Sequence, residues 1–224
     1  MSRNDTLNVI FFGSAGAAKA VYYWLRAVNR ACGYEQYHVL GFVEKDAEEI
    51  GKEAFAGERI IACDDTVSEI IHQYDQIGAI VPFADAALKR RVVRNLKQYD
   101  NIVFPNVIHP AVIYDEAGGS FGEGNYIGPG VIFESEYQIG NYNYIGNGVQ
   151  FGHDIRLGDY NAILPASAVA GNVTFGNNCM LGLNASVIQE LTITDDVVIG
   201  AGAVVVRPIT EKGTYVGMPA KKIK

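Results

Sequence analysis

From Phe121 onward, every sixth residue is bulky and apolar: Phe121, Ile127, Phe133, Ile139, Ile145, Phe151 and so on, unbroken in phase, to Val205. Glycine often follows directly, as at Gly122, Gly128, Gly140 and Gly146, and the fourth residue after an anchor is often small or apolar, as at Val131, Val149, Ser167, Cys179 and Ala185. A helix repeats at about 3.6 residues and an ordinary strand at about two, so neither produces this pattern. A strict six-residue period predicts a parallel β-helix. Each anchor points into the axis and stacks on its equivalent one coil away. One unit cannot bury its apolar face alone, so the core grows along one dimension. Burying an anchor contributes about 1.5–3 kcal/mol before chain entropy is subtracted. Glycine beside the anchor is expected at the coil corners, where positive φ is cheap for it.

Residues 1–106 carry a different pattern. LNVIFF (7–12) reads as a buried strand, followed by GSAGAA and an apolar-periodic helix through Val21, Trp24, Leu25 and Val28. VLGFVE (39–44) is a second strand, TVSEIIHQY (66–74) a short helix and IGAIVPF (77–83) a strand. DAALKRRVVRNLKQY (85–99) is a helix and NIVFP (101–105) a last short strand. Alternating strands and helices predict a parallel sheet covered by helices. Pro105 and Pro110 bracket the boundary. The expected organisation is an α/β domain over 1–106 and a β-helix domain over 107–224.

Composition narrows the function. The 224 residues are 49% hydrophobic and 19% charged, with a formal net charge of -7, which suits a globular chain and disfavours nucleic acid as a partner. Cys32, Cys63 and Cys179 are odd in number and form no CxxC pair, against both a disulfide framework and a zinc ribbon. No signal peptide and no apolar run of membrane-spanning length is visible, so a cytoplasmic location without membrane insertion is expected.

His153 and Asp154 stand between the anchors Phe151 and Leu157. Neighbours on a strand point to opposite faces, so Asp154 reaches the imidazole only if the pair turns a coil corner. Gly171 lies eighteen residues beyond His153, one full coil, which sets it alongside. Gly13-Ser14-Ala15-Gly16 follows a strand and opens a helix, a geometry able to hold a pyrophosphate on backbone N–H groups, although it is not GxGxxG.

The unbroken hexapeptides, the His-Asp pair, the segment AGNVTFGNNCMLGLNASV and the ending GTYVGMPAKKI together resemble the left-handed β-helix sugar O- and N-acetyltransferases. That family includes sialic acid O-acetyltransferases and nucleotide-linked 4-amino-sugar N-acetyltransferases. The resemblance implies a Rossmann-like N-terminal domain that binds the nucleotide sugar and a left-handed β-helix that carries acetyl transfer. It implies a homotrimer, acetyl-CoA as donor, active sites between neighbouring β-helices and a role in surface-glycan biosynthesis. It makes His153 the general base, Asp154 its acidic partner and the Gly171 N–H an oxyanion donor. The pantetheine arm is expected along Gly182, Leu183, Ala201 and Gly202. Met218, Pro219 and Ala220 are expected to flank the adenine, with Lys221 or Lys222 on a phosphate. Gly13, Ser14, Ala15, Gly16 and Glu44 are expected to hold the acceptor. The chain departs from the family pattern at Ala17, Lys45, Ala84-Asp85-Ala86, Gly152 and Ala162.

N-acetylation of a nucleotide-linked amino sugar and O-acetylation of a sialic-acid-like sugar both fit these residues. A β-helix zinc hydratase does not: about three ligands are needed, and only His109 and His153 lie in the repeat half. No metal is expected. A silent scaffold that only binds nucleotide sugars is disfavoured by His153 and the complete GMPAKK ending.

Overall fold

A computed structural model describes residues 6–224. The chain divides into two compact units between Val107 and Ile108. In the first, a six-stranded sheet is built from β1 (Leu7–Phe12), β2 (Tyr37–Glu44), β3 (Glu53–Phe55), β4 (Glu58–Cys63), β5 (Ile77–Ile80) and β6 (Ile102–Val103), in the order β3-β4-β2-β1-β5-β6. The helices are α1 (Gly16–Cys32), α2 (Val67–Ile71) and α3 (Ala86–Leu96). The apolar stripe of α1 is buried through Val21, Tyr22, Trp24 and Leu25, and the helix stops where Gly33 adopts φ +74. The Asp85 carboxylate caps α3, accepting from Leu88 N–H at 2.9 Å. Burial pushes the Lys89 ammonium down to about 7.

The sheet is not wholly parallel. β3 and β4 form an antiparallel hairpin that the sequence pattern does not reveal, because β4 mixes buried Ile60, Ala62 and Cys63 with charged Glu58 and Arg59. The predicted helix over 66–74 shrinks to the five residues of α2.

The second unit is a parallel β-helix with three faces. One face carries strands at 132–133, 150–151, 168–169, 186–187 and 204–205, and a second at 119–121, 137–139, 156–157, 174–175 and 192–193. The third runs through 126–127, 144–145, 162–163, 180–181 and 197–199, and closes with Gly213–Val216 and the antiparallel Lys221–Lys222. Residue pairs such as Phe133↔Phe151 and Phe151↔Val169 fix the coil at eighteen residues. The anchors from Ile127 to Val205 are all buried, Phe121 is half-buried against them, and Phe133 stacks on Phe151 at 4.9 Å. Cys179 lies inside this core, where burial pushes its thiol up to about 11.

The corner glycines require a correction. Positive φ falls three residues after each anchor, at Gly130, Glu136, Tyr142, Gly148, Asp154, Tyr160 and onward at every sixth residue to Gly202. The glycines directly after the anchors do not have it. They are small because the next coil is close. A Cβ on Gly140 would meet Gly158 O at 2.7 Å, and one on Gly152 would meet Gly171 N at 2.8 Å. Close coil stacking, rather than backbone handedness, selects glycine there.

No helix among the described residues is long and apolar enough to cross a membrane, and no group of three or more His, Cys, Asp or Glu could hold a metal ion.

Candidate active site

Each coil of the β-helix turns three corners, and stacked corners form columns. One column is Ser135, His153, Gly171 and Gln189; the next corner, between Val205 and Ile209, is two residues shorter and holds Arg207. Asp154 occupies the left-handed position of its corner, with φ +57, a conformation that Asp adopts more readily than most residues. The chain therefore turns between His153 and Asp154, and Asp154 Oδ2 lies 2.7 Å from His153 Nδ1. The contact gives the Nδ1–H tautomer a partner and leaves Nε2 as the acceptor. Beneath the ring is Gly171: a Cβ there would strike Nε2, Cε1 and Cδ2. No group among the described residues accepts from the Gly171 N–H. The His153 side chain is 58% exposed, open to a ligand.

His153 and Gly171 border an open groove of about 700 Å³ on the face of strands 132–133 to 186–187. Its floor is small where it faces Gly171, at Gly152, Ala168 and Ala170, and more polar elsewhere, at Gln150, Ser186 and Gln189. Its lining includes no Lys or Arg, and Glu134 contributes a carboxylate.

The expected donor residues fall into two places. Gly182, Leu183, Ala201 and Gly202 stack in the corner column on the other side of that face, with Gly202 N–H donating to Leu183 O at 2.8 Å. Gly182 is small because the next coil is close: a Cβ would meet Ala201 N at 2.5 Å. Pro219 and Ala220 lie at the C-terminal end, where Ala220 N–H donates to Val204 O at 2.8 Å. With Lys221, Tyr215 and Arg207 they line a second hollow of about 240 Å³. Met218 is exposed beside them. Lys222 is engaged elsewhere, 2.8 Å from Glu211 Oε2, which leaves Lys221 the better placed of the two for a phosphate. Sequence reasoning missed Arg207, although its position two residues after the anchor Val205 is the position of His153 after Phe151.

The acceptor residues lie together in the first unit. Glu44, ending β2, accepts through Oε1 from both Ser14 N–H at 2.7 Å and Ser14 Oγ–H at 2.5 Å. Gly13 adopts φ +78, and a Cβ there would crowd Phe83 at 2.7 Å. Ala15 caps α1 in extended conformation, and Gly16 starts the helix. These residues stand at the C-terminal ends of β1 and β2, beside the strand where the sheet order reverses, the usual ligand crevice of open α/β sheets. Ser14 N–H is already taken by Glu44, so the loop offers fewer donors to a pyrophosphate than expected.

The remaining histidines carry no comparable arrangement. His109 Nδ1 accepts from Ala111 N–H at 3.0 Å within its own turn, and His38 pairs with Glu35 on the surface. His72 is exposed and edge-on to Tyr99.

No protein-family model and no curated protein matches the chain. Solved structures do. A variant of perosamine N-acetyltransferase from Caulobacter crescentus, a histidine replaced by asparagine, solved with CoA and GDP-perosamine, superposes with a TM-score of 0.86 at 30% identity over 97% of each chain. PerB from Caulobacter crescentus, in complex with the same two molecules, gives 0.77 at 27% identity over 97% of each chain. The acetyltransferase domain of PglB from Neisseria gonorrhoeae FA1090, in complex with acetyl coenzyme A, shares the fold, with a TM-score of 0.83 at 21% identity over 98% of this chain and 100% of that one.

Proposed function

This chain belongs to the sugar N-acetyltransferases of the left-handed β-helix type, and on that premise we propose that it acetylates the amine of a nucleotide-linked amino sugar, with His153 as general base. It is an acyltransferase whose co-substrate is acetyl-CoA. The observation that carries the finer reading is the corner itself: an imidazole held by Asp154 through Nδ1, with Nε2 over Gly171, at the edge of a groove.

The residues divide the work. The bound donor supplies a thioester carbonyl open to attack. As the amine nitrogen bonds to that carbon, His153 Nε2 takes the proton the nitrogen sheds, and Asp154 stabilises the resulting imidazolium. The Gly171 N–H hydrogen-bonds the developing oxyanion. When the C–S bond breaks, the imidazolium returns the proton to the leaving sulfur, giving the amide and the free thiol. The corner column of Gly182, Leu183, Ala201 and Gly202 offers backbone groups to the pantetheine arm. Pro219 and Ala220 flank the adenine, and Lys221 and Arg207 supply charge for phosphates. The first unit, Rossmann-like, takes the nucleotide sugar through Gly13, Ser14, Ala15, Gly16 and Glu44. Exposed Leu183, Ile188 and Val206 on and beside the groove face support assembly as a homotrimer that closes each groove. The setting is cytoplasmic biosynthesis of surface glycans.

N-acetylation is favoured over O-acetylation of a sialic-acid-like sugar because no cation lines the groove to receive a sugar carboxylate. The test is release of free thiol from acetyl-CoA with GDP-, UDP- and dTDP-linked amino sugars. Release with at least one amine supports the reading. Release with free sialic acid and with no amine sinks it.

A further inference from the structure

Glu134 has no role in the chemistry above, yet it lines the same groove as His153. It follows the anchor Phe133, which pairs with Phe151, and its N–H donates to Phe151 O at 3.2 Å, so it lies one coil before Gly152. In Glu134's own column, the residue directly after the anchor faces the following coil: a Cβ on Gly152 would meet Gly171 N at 2.8 Å. Glu134, Gly152 and His153 line the groove together, on successive coils. Gly152 has no side chain to block Glu134, and coils are spaced by about 4.8 Å, within a glutamate's reach. Among the described residues the Glu134 carboxylate has no hydrogen-bond or ion-pair partner. Asp154, the other carboxylate at this corner, is committed to His153. On the far side of the imidazole the floor is neutral and small, at Ala168, Ala170 and Gly171. The groove is thus polarised along the helix axis: a carboxylate on one side of the base, an uncharged bed on the other.

An amino sugar reaches the enzyme mostly as its ammonium, and a carboxylate holds an ammonium through a charge-assisted hydrogen bond. An acceptor hydroxyl donates a hydrogen bond there but brings no positive charge, and an acceptor carboxylate is repelled. We propose that Glu134 is the acceptor-amine anchor, binding the ammonium beside His153 and selecting amine over hydroxyl acceptors; the ammonium gives one proton to solvent before attack, and the neutral amine sheds the second to His153 as it bonds to the carbonyl carbon. The neutral floor then receives the acetyl methyl. This inference rests on the reading of the His153 groove as the acetyl-transfer site.

The test compares the wild type with Glu134→Gln and Glu134→Asp, using acetyl-CoA and the amino sugar that the wild type acetylates. Glu134→Gln should raise the acceptor KM by roughly 10-fold or more, the range expected for loss of a hydrogen bond to a charged group. The KM for acetyl-CoA should not move, and Glu134→Asp should recover part of the loss. The same nucleotide sugar with a hydroxyl in place of the amine should lose less affinity on Glu134→Gln than the amine does. An unchanged acceptor KM in Glu134→Gln, with the wild type acetylating the amine, overturns the anchor alone. A rise in both KM values does the same, since it marks a general disturbance. A wild type that acetylates no amine overturns the reading beneath it as well.

Discussion

Two corners of the same β-helix share a backbone and differ in what their side chains face. In the column Glu123, Asn141, Asp159, Asn177 and Asp195, each side-chain oxygen from Asn141 onward caps the backbone of the coil before it. Asn141 Oδ1 accepts from Glu123 N–H at 2.9 Å, Asp159 Oδ1 from Asn141 at 2.7 Å, Asn177 Oδ1 from Asp159 and Asp195 Oδ1 from Asn177, both at 2.8 Å. Beneath them a second ladder is buried: Asn125 Oδ1 accepts from Asn143 N–H at 3.0 Å, and Asn143 Oδ1 from Asn161 at 2.8 Å. Asn161 Oδ1 in turn accepts from Cys179 N–H at 2.7 Å. In the column Ser135, His153, Gly171 and Gln189 the ladder is interrupted. His153 turns to Asp154, and Gly171 has no side chain to offer. No group among the described residues accepts from the N–H groups of His153 and Gly171. The first corner satisfies itself; the second leaves two N–H donors and an imidazole nitrogen open. A change of one side chain per coil separates scaffold from site.

The sharpest way to break this contrast is His153→Ala. Turnover should fall by about 10²–10⁴-fold, as removal of a general base does, while the thermal midpoint stays put. Retained turnover in a thiol-release assay would leave the corner without its base. Gly171→Ala keeps every hydrogen-bonding group but drives a methyl into the imidazole. Displacement of that kind should cost about 10²-fold in kcat; a normal rate would mean that the ring position is not critical. Asp154→Asn is gentler, because Asn tolerates the left-handed corner and only the charge is lost. Losing a charge-assisted partner should lower kcat by roughly 10–100-fold, and an unaltered kcat would mean that Asp154 serves the turn alone. In the self-satisfied corner the signs reverse. Asn161→Ala strands the buried Cys179 N–H and should destabilise the fold by about 1–3 kcal/mol in denaturant unfolding. The kcat of the folded fraction should not change; a fall would show that the two corners are coupled.

The coil architecture was legible in the sequence because a six-residue period leaves little room for another fold, and the anchors from Ile127 to Val205 all point inward. The hairpin β3–β4 was not, because its strands are short and mix charge with apolar residues on the sheet edge. The role of the glycines after the anchors was misread for a physical reason: composition cannot separate a residue that needs positive φ from one that needs a missing Cβ. The His153–Asp154 contact was half legible. The pair was visible, but whether it straddled a corner depended on phase, and φ +57 at Asp154 settles that geometry. The asparagine ladders went unnoticed because Asn125, Asn143 and Asn161 occupy inward positions where only apolar or small residues were sought. A polar residue recurring every eighteen positions was the available signal.

The eighteen-residue coil also works as a graduated ruler. Ser135, His153, Gly171 and Gln189 fall on successive marks of one edge, each about 4.8 Å from the next. From the imidazole to the Arg207 corner is then three marks, about 14 Å. The scale tolerates a change of corner length: the last turn drops two residues, and Ile209 still stacks on Ile193 and stays buried. Side chains at a mark can therefore be exchanged while the coil that carries them stays in place.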